Sequence, residues 1–355
     1  MDLTSYFASV DPNAAVARVM CASQASFEGS VYTELDRIRA SASRHNEPAG
    51  VYTAILYQSG WFVQWQEGPA PALLATMERV ARDARHHSMR VVHASRGPRL
   101  LDGSWSTAVV QTDESADDVA DRVAHLRHAL HQGRQYSPPS AWGFVSTPAF
   151  LPGARQQAAS DAYQRVLLCS ASGTGSFDFV RWLADQHGQE VVHRRYAGAR
   201  DLDVGADFVD IAQDASLLRV VAMARRGLAL PLTRAFLSDY SHLVVLLSDD
   251  AERNEALMRR LAQACQLLPA APTVVGVSAR ADMHGVVAAQ AQRLRLDYVP
   301  VRADPRVRGF AWAALREQLA HWGPSERGWG ALDDVAVARP IAAPAAPPFL
   351  ALSIQ

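Results

Sequence analysis

Hydrophobic positions in the first third of the chain switch between strand-like and helix-like spacing. Residues 17–22 form a short apolar run ended by the polar SQAS, which predicts a strand. Over 28–45, Val31, Leu35, Ile38 and Ala42 recur at helical spacing, with arginines on the other side. Runs at 51–57 and 61–66 flank Gln58-Ser59-Gly60 and predict a hairpin. Pro69 then opens a helix carrying Leu73, Leu74, Met77, Val80 and Ala81, with proline in its tolerated first turn. Residues 89–93 and 106–111 supply two more strands. The order β-α-β-β-α-β-β predicts a ferredoxin-like α+β sheet with two helices on one face. A later helix at about 114–133 can cover the other face.

Beyond a Pro/Gly/Ser-containing stretch at 136–162, the pattern changes to continuous apolar runs separated by amphipathic segments. Strands are predicted at 166–169, 191–196, 208–211, 243–247, 273–277 and 296–299. Helices are predicted near 177–187, 214–226, 231–239, 251–268, 283–294 and 308–321. Such alternation predicts a mostly parallel α/β sheet covered on both faces. The expected organisation is an arm at 1–15, a first domain at 16–135, a linker at 136–162, a second domain at 163–323 and an Ala/Pro-rich tail at 324–355.

Composition narrows the chemistry. The 355 residues are 49% hydrophobic, with a net charge of -1, which excludes chain-wide attraction to nucleic acid or anionic lipid. The sequence contains no lysine, so a phosphate-loop, Schiff-base or kinase-type lysine is impossible. Cys21, Cys169 and Cys265 lie too far apart for a CxxC zinc site or a disulfide framework, and a reducing cytoplasmic compartment is expected. The start of the sequence lacks a signal-peptide pattern and no apolar run reaches membrane-span length, so no membrane insertion is expected.

Two amides stand out in the first domain. Asn46 ends the first predicted helix and Gln64 lies in the second hairpin strand, in WFVQWQEGP. Facing a groove between two helices, such a pair grips a flat heterocycle through its C=O and ring N–H edge. On a simply alternating strand, Gln64 instead points to solvent.

The stretch NEPAGVYTAILYQSGWFVQWQEGP, followed by a helix, DARHH and the later SWST, resembles the blue-light-using-flavin (BLUF) photoreceptor domain over residues 16–111. The resemblance implies FAD as cofactor. Asn46 and Gln64 match the positions that bind the flavin ring, and Trp105 matches the position where the family commonly carries tryptophan. Arg85 and His86 match the basic end of the second helix, near the FAD tail. The departures are specific. Cys21, in RVMCAS, stands where the family has the tyrosine that donates an electron and bonds the Gln, and a thiol is a weak donor. Tyr52 and Thr53 replace a Thr and a compact Gly, which narrows the flavin slot. Thr107 replaces the usual Met. The fold is expected to persist and the normal photocycle to be lost, while flavin uptake is left open. Among the tyrosines, Tyr52 is the candidate to stand in for the missing phenol.

In the second domain, a strand runs into SASGTGS and a helix, a loop that can cradle phosphate or simply turn. The placement resembles a small Ras-like GTPase. Against GxxxxGK[ST], the segment from Cys169 to Ser176 retains only Ser176, with Gly175 at the lysine position. The guanine-reading motif falls on Ala279-Arg280-Ala281-Asp282, and the magnesium-organising DxxG on Asp210 with Gln213. The resemblance therefore implies a GTPase-like domain without hydrolytic chemistry. His125, His128 and His131 drift around a helix and are expected on a solvated face rather than at a zinc. Asp249-Asp250 reads as a helix cap.

Together these readings predict a non-enzymatic sensory or regulatory protein that relays to a protein partner in motility or signalling, with a second copy of the chain as another partner. The alternative is a ligand-free adaptor in motility, pilus or cyclic-nucleotide signalling. No nucleic-acid partner is expected.

Overall fold

The computed structural model describes residues 16–110, 114–133, 136–146, 163–196, 204–213, 216–266, 268 and 270–320. The arm at 1–15, the tail at 324–355 and the 147–162 part of the expected linker lie outside the described residues. The first five-stranded sheet has the order β4-β1-β3-β2-β5. Its strands are β1 (Val16–Ala25), β2 (Tyr52–Gln58), β3 (Trp61–Gly68), β4 (His86–Gly97) and β5 (Trp105–Val110). Helices α1 (Val31–His45) and α2 (Ala70–Ala81) pack on one face, as the pattern predicted. Leu35 and its neighbours cover Ile55, Phe62 and Val109, while Leu73 and Met77 cover Val19, Cys21 and Val51. Each such side chain contributes about 1.5–3 kcal/mol by leaving water.

Helix α3 (Ala116–His131) covers the opposite face, burying Val119, Val123 and Leu126 against Met20 and Trp65. It begins with a capping box between Ser115 and Asp118, each side chain accepting from the other's backbone N–H at 3.2 Å. The expected linker is corrected here. Residues Pro138–Ser146 form helix α4, with Trp142, Phe144 and Val145 buried in the same core. Two prolines at the first turn suit a helix start, and the aromatic residues give it something to bury.

The second sheet has seven strands in the order β12-β11-β10-β6-β9-β8-β7. They are β6 (Tyr163–Ser170), β7 (Val192–Tyr196), β8 (Val204–Gln213), β9 (Ser216–Met223), β10 (His242–Leu246), β11 (Thr273–Ser278) and β12 (Tyr298–Arg302). Strands β9, β6, β10, β11 and β12 run parallel, whereas β8 is antiparallel to both β9 and β7. Helices α5 (Gly175–His187) and α9 (Arg308–Leu319) cover one face; α7 (Ala251–Cys265) and α8 (Ala281–Arg293) cover the other. The short helix α6 (Pro231–Phe236) precedes β10.

The helix predicted at 214–226 is instead strand β9. Arg219 mimicked a polar helix face, but it is buried and paired with Asp210 of β8, donating to both carboxylate oxygens at 2.6 Å. With that charge matched, the remaining residues form a continuous apolar strand buried on both sides. Leu217, Leu232 and Ala235 join Trp65 and Trp142 in one core, so the two sheets are packed together through α4.

Candidate functional site

Strand register assembles the first candidate site. Cys21 lies opposite Gln64, Gln64 opposite Ile55, and Ile55 opposite Thr107. The adjacent row is Val19, Gln66, Thr53 and Trp105. All face the helices, because alternate residues of a strand share a face. Apolar contacts divide there into one cluster under α1 and another under α2, and the amides lie in the strip between them.

Gln64 is buried, at 7% exposure, so it does not point to solvent. Its Oε1 accepts from Gln66 Nε2 at 3.4 Å. Asn46 closes α1, its N–H bonding Ala42 O at 2.7 Å and its C=O accepting from Val51 N at 2.9 Å. That turn aims its side chain over the start of β2. Nδ2 donates to Thr53 Oγ1 at 3.4 Å, while Oδ1 accepts from Arg79 Nη2 at 2.9 Å and Thr76 Oγ1 at 3.5 Å. Burial pushes the Cys21 thiol up to about 12, so it stays protonated and donates only weakly.

Among the described residues, four buried polar atoms on this face have no hydrogen-bond partner: Ser23 Oγ, Gln66 Oε1, Trp105 Nε1 and Thr107 Oγ1. Each costs about 1–3 kcal/mol if left unmet. As a mixed donor and acceptor set beside two amides, they fit a flat heterocycle with a C=O and N–H edge.

Other expectations separate from this strip. Tyr52 pairs with Glu67 and faces the opposite side of the sheet, where Arg99 sits 3.9 Å over its ring, so it cannot replace a phenol at Gln64. Arg85 and His86 follow α2 at the far end of β1, since His86 pairs with Ala25, four residues beyond Cys21 or roughly 13 Å along the strand. Arg85 is held by Asp83, with Nε to Oδ1 at 2.8 Å, and burial lowers the His86 pKa. Sequence reasoning missed Gln66, Thr76 and Arg79. Alternation alone was enough to put Gln66 beside Gln64.

The rest of WFVQWQEGP is structural. Glu67 is fully buried on the opposite face, accepting from Leu100 N at 2.8 Å and Leu101 N at 3.0 Å, with Arg18 Nε at 3.6 Å. A Cβ on Gly68 would lie 2.9 Å from Val51 Cγ2 and 3.0 Å from its Cα, so this crossing requires glycine.

A second cleft, of about 370 Å³, opens at the C-terminal ends of the parallel strands, lined by Ser170, Asp178, Asp249, Arg280, Asp304 and Arg306 among others. Its polar groups are turned on one another. Ser170 Oγ takes the Ser176 N–H at 2.5 Å, at the helix terminus where a phosphate would be cradled. Arg280 pairs with Asp249 and Asp282, and Arg306 with Asp304. Asp210 does not reach this cleft; it lies on β8 beside Arg219. Asp250 caps α7 through Glu252 N at 3.0 Å and Arg253 N at 3.3 Å, as expected. Among the described residues, no group of three His, Cys, Asp or Glu side chains is placed to hold a metal. No helix there is long and apolar enough to cross a membrane.

Residues 16–106 match the family model for BLUF, sensors of blue-light using FAD. Similar solved structures include the dark state of BlrB, a BLUF protein, at 18% identity and TM-score 0.26, covering 37% of this chain and 91% of that one. A bacterial light-regulated adenylyl cyclase matches at 12% identity and TM-score 0.27, covering 70% and 67%. Klebsiella pneumoniae BlrP1 in its manganese/cyclic-di-GMP complex matches at 12% identity and TM-score 0.27, covering 80% and 74%. Among curated proteins, none matches.

Proposed function

We propose that this chain is a non-enzymatic sensory or regulatory signalling protein. Its BLUF domain holds FAD between α1 and α2, and its second domain, a GTPase-like module without phosphate-handling lysine, relays the state of that slot to a protein partner. One observation carries the reading: the amides of Asn46, Gln64 and Gln66 share a buried strip in which Gln66 Oε1, Thr107 Oγ1 and Trp105 Nε1 lack partners. Asn46 and Gln64 hold and orient the ring edge, while Leu35 and Leu73 in the flanking apolar clusters exclude water. FAD would supply the blue-light absorption. Cys21, opposite Gln64, supplies no phenol to donate an electron or a strong hydrogen bond, so a phenol-dependent light response is absent. The GTPase-like reading is supported by a cleft at the C-terminal strand ends and by the antiparallel β8 beside the parallel strands.

Titration of the purified protein with FAD, followed by flavin absorbance, tests this reading. Yellow, FAD-binding protein without a light-induced spectral shift supports it; Cys21→Tyr combined with Thr53→Gly is then expected to gain that shift. Protein that refuses FAD sinks the cofactor reading. A ligand-free adaptor is the second reading, favoured by the Arg79, Thr76 and Thr53 contacts that already occupy the Asn46 amide.

A further inference from the structure

We propose that Gln66 is the positioning residue that orients Gln64 and, through its own carbonyl, the acceptor for the ligand's ring N–H. The inference deepens the FAD reading and rests on it for the second part only.

The two side chains lie two residues apart on β3 and share the helix-facing side of the sheet. Gln66 Nε2 donates to Gln64 Oε1 at 3.4 Å, a long hydrogen bond but the interaction the structure gives that oxygen. The residue across the strand, Cys21, is a buried thiol and a poor competitor for it. With Oε1 turned toward Gln66, the Gln64 Nε2 hydrogens face the remaining space of the strip. Gln66 is itself 2% exposed, and its Oε1 is buried without a partner. A buried amide carbonyl left unpaired is costly, so it is the acceptor that a ligand N–H would satisfy. Thr53 and Trp105 continue the same row, and Trp105 Nε1 adds an unmet donor for a ligand carbonyl. The strip thus offers donor and acceptor in neighbouring positions, a pattern that selects a heterocycle with an imide edge.

The experiment uses the full chain in two arms. In the first, the side-chain amide ¹H–¹⁵N signals of Gln64 are followed in the FAD-free protein for Gln66→Leu, Gln66→Glu and Cys21→Ala. The Gln66 variants are expected to shift them, because Leu removes the donor and Glu replaces the amide N–H with a carboxyl group, and Cys21→Ala to leave them nearly in place. Signals that follow Cys21→Ala and ignore Gln66→Leu overturn the orienting role. In the second arm, FAD affinity is measured by flavin fluorescence quenching. Gln66→Leu is expected to weaken it about tenfold with the circular dichroism unchanged, one unmet buried hydrogen bond's worth. Unchanged affinity in Gln66→Leu, with the wild type binding, overturns the acceptor role. A wild type that binds no FAD defeats the cofactor reading together with that acceptor role, and the first arm still decides the orienting contact.

Discussion

Trp65 and Trp142 meet with ring centroids 6.0 Å apart and planes inclined by 48°. The strand position next to Gln64 is therefore packed, on the other face of the sheet, against the helix that links the two halves of the chain. Helix α4 is tied at its C-terminal end from both sides: Arg122 Nε donates to Val145 O at 2.9 Å, and Arg194 of β7 bonds Ser146 O. Carbonyls left over at a helix end need such donors.

Trp142→Ala opens a large void in this shared core. We expect a loss of about 3–5 kcal/mol, measured by urea unfolding, with Trp65 fluorescence shifted toward that of a wetter environment. An unchanged urea midpoint would show that α4 contributes little to the joint.

The Asp210–Arg219 pair is expected to behave as a matched buried charge. Arg219→Ala leaves Asp210 unpaired and removes about 3–5 kcal/mol, while the double replacement Asp210→Leu with Arg219→Met restores most of that loss. Comparing the single and double variants by thermal unfolding checks the pairing.

Gly68→Ala drives a Cβ against the backbone of Val51, which cannot swing aside as a side-chain tip can. About 1–3 kcal/mol of destabilisation is expected, together with lower occupancy of any ligand between α1 and α2. Gly29→Ala is a useful contrast, since a Cβ there meets no atom within 4 Å and only its φ of 101° is strained.

Acid sensitivity has a specific source in His93. Burial, reinforced by the Arg18 charge, lowers its pKa to about 3. The unfolded chain takes up this proton near pH 6.5, whereas the folded protein stays neutral there, so stability is complete above about 6.5 and falls as the pH drops toward 3. Between pH 7 and pH 5 the wild type is expected to lose about 2 kcal/mol more than His93→Gln in urea melts. Equal losses would show that His93 is not the group titrating.

Much of the first domain was legible in one dimension. Alternation fixed the faces of β2 and β3, the 3.6-residue spacing of Val31, Leu35 and Ile38 fixed α1, and QSG marked the hairpin. The same alternation puts Gln64 and Gln66 on one face and Tyr52 and Thr53 on opposite faces, so Tyr52, expected at the flavin slot, neither narrows it nor reaches Gln64. What the pattern could not supply was which neighbour each face would meet. Gln64 reads as solvent-facing until two helices cover it, and residues 136–146 read as a linker until Trp142 finds Trp65.

The chain by itself determined which chemistry is impossible: no lysine for a phosphate loop or a Schiff base, and at position 21 a thiol rather than a phenol. Those statements depend only on side-chain identity. Tertiary structure alone decided that Cys21 lies opposite Gln64, that Arg219 belongs to a strand because Asp210 meets its charge, and that Ser170 fills the α5 terminus. Each depends on pairing between residues distant in sequence, where burial and a matched partner outweigh local propensity.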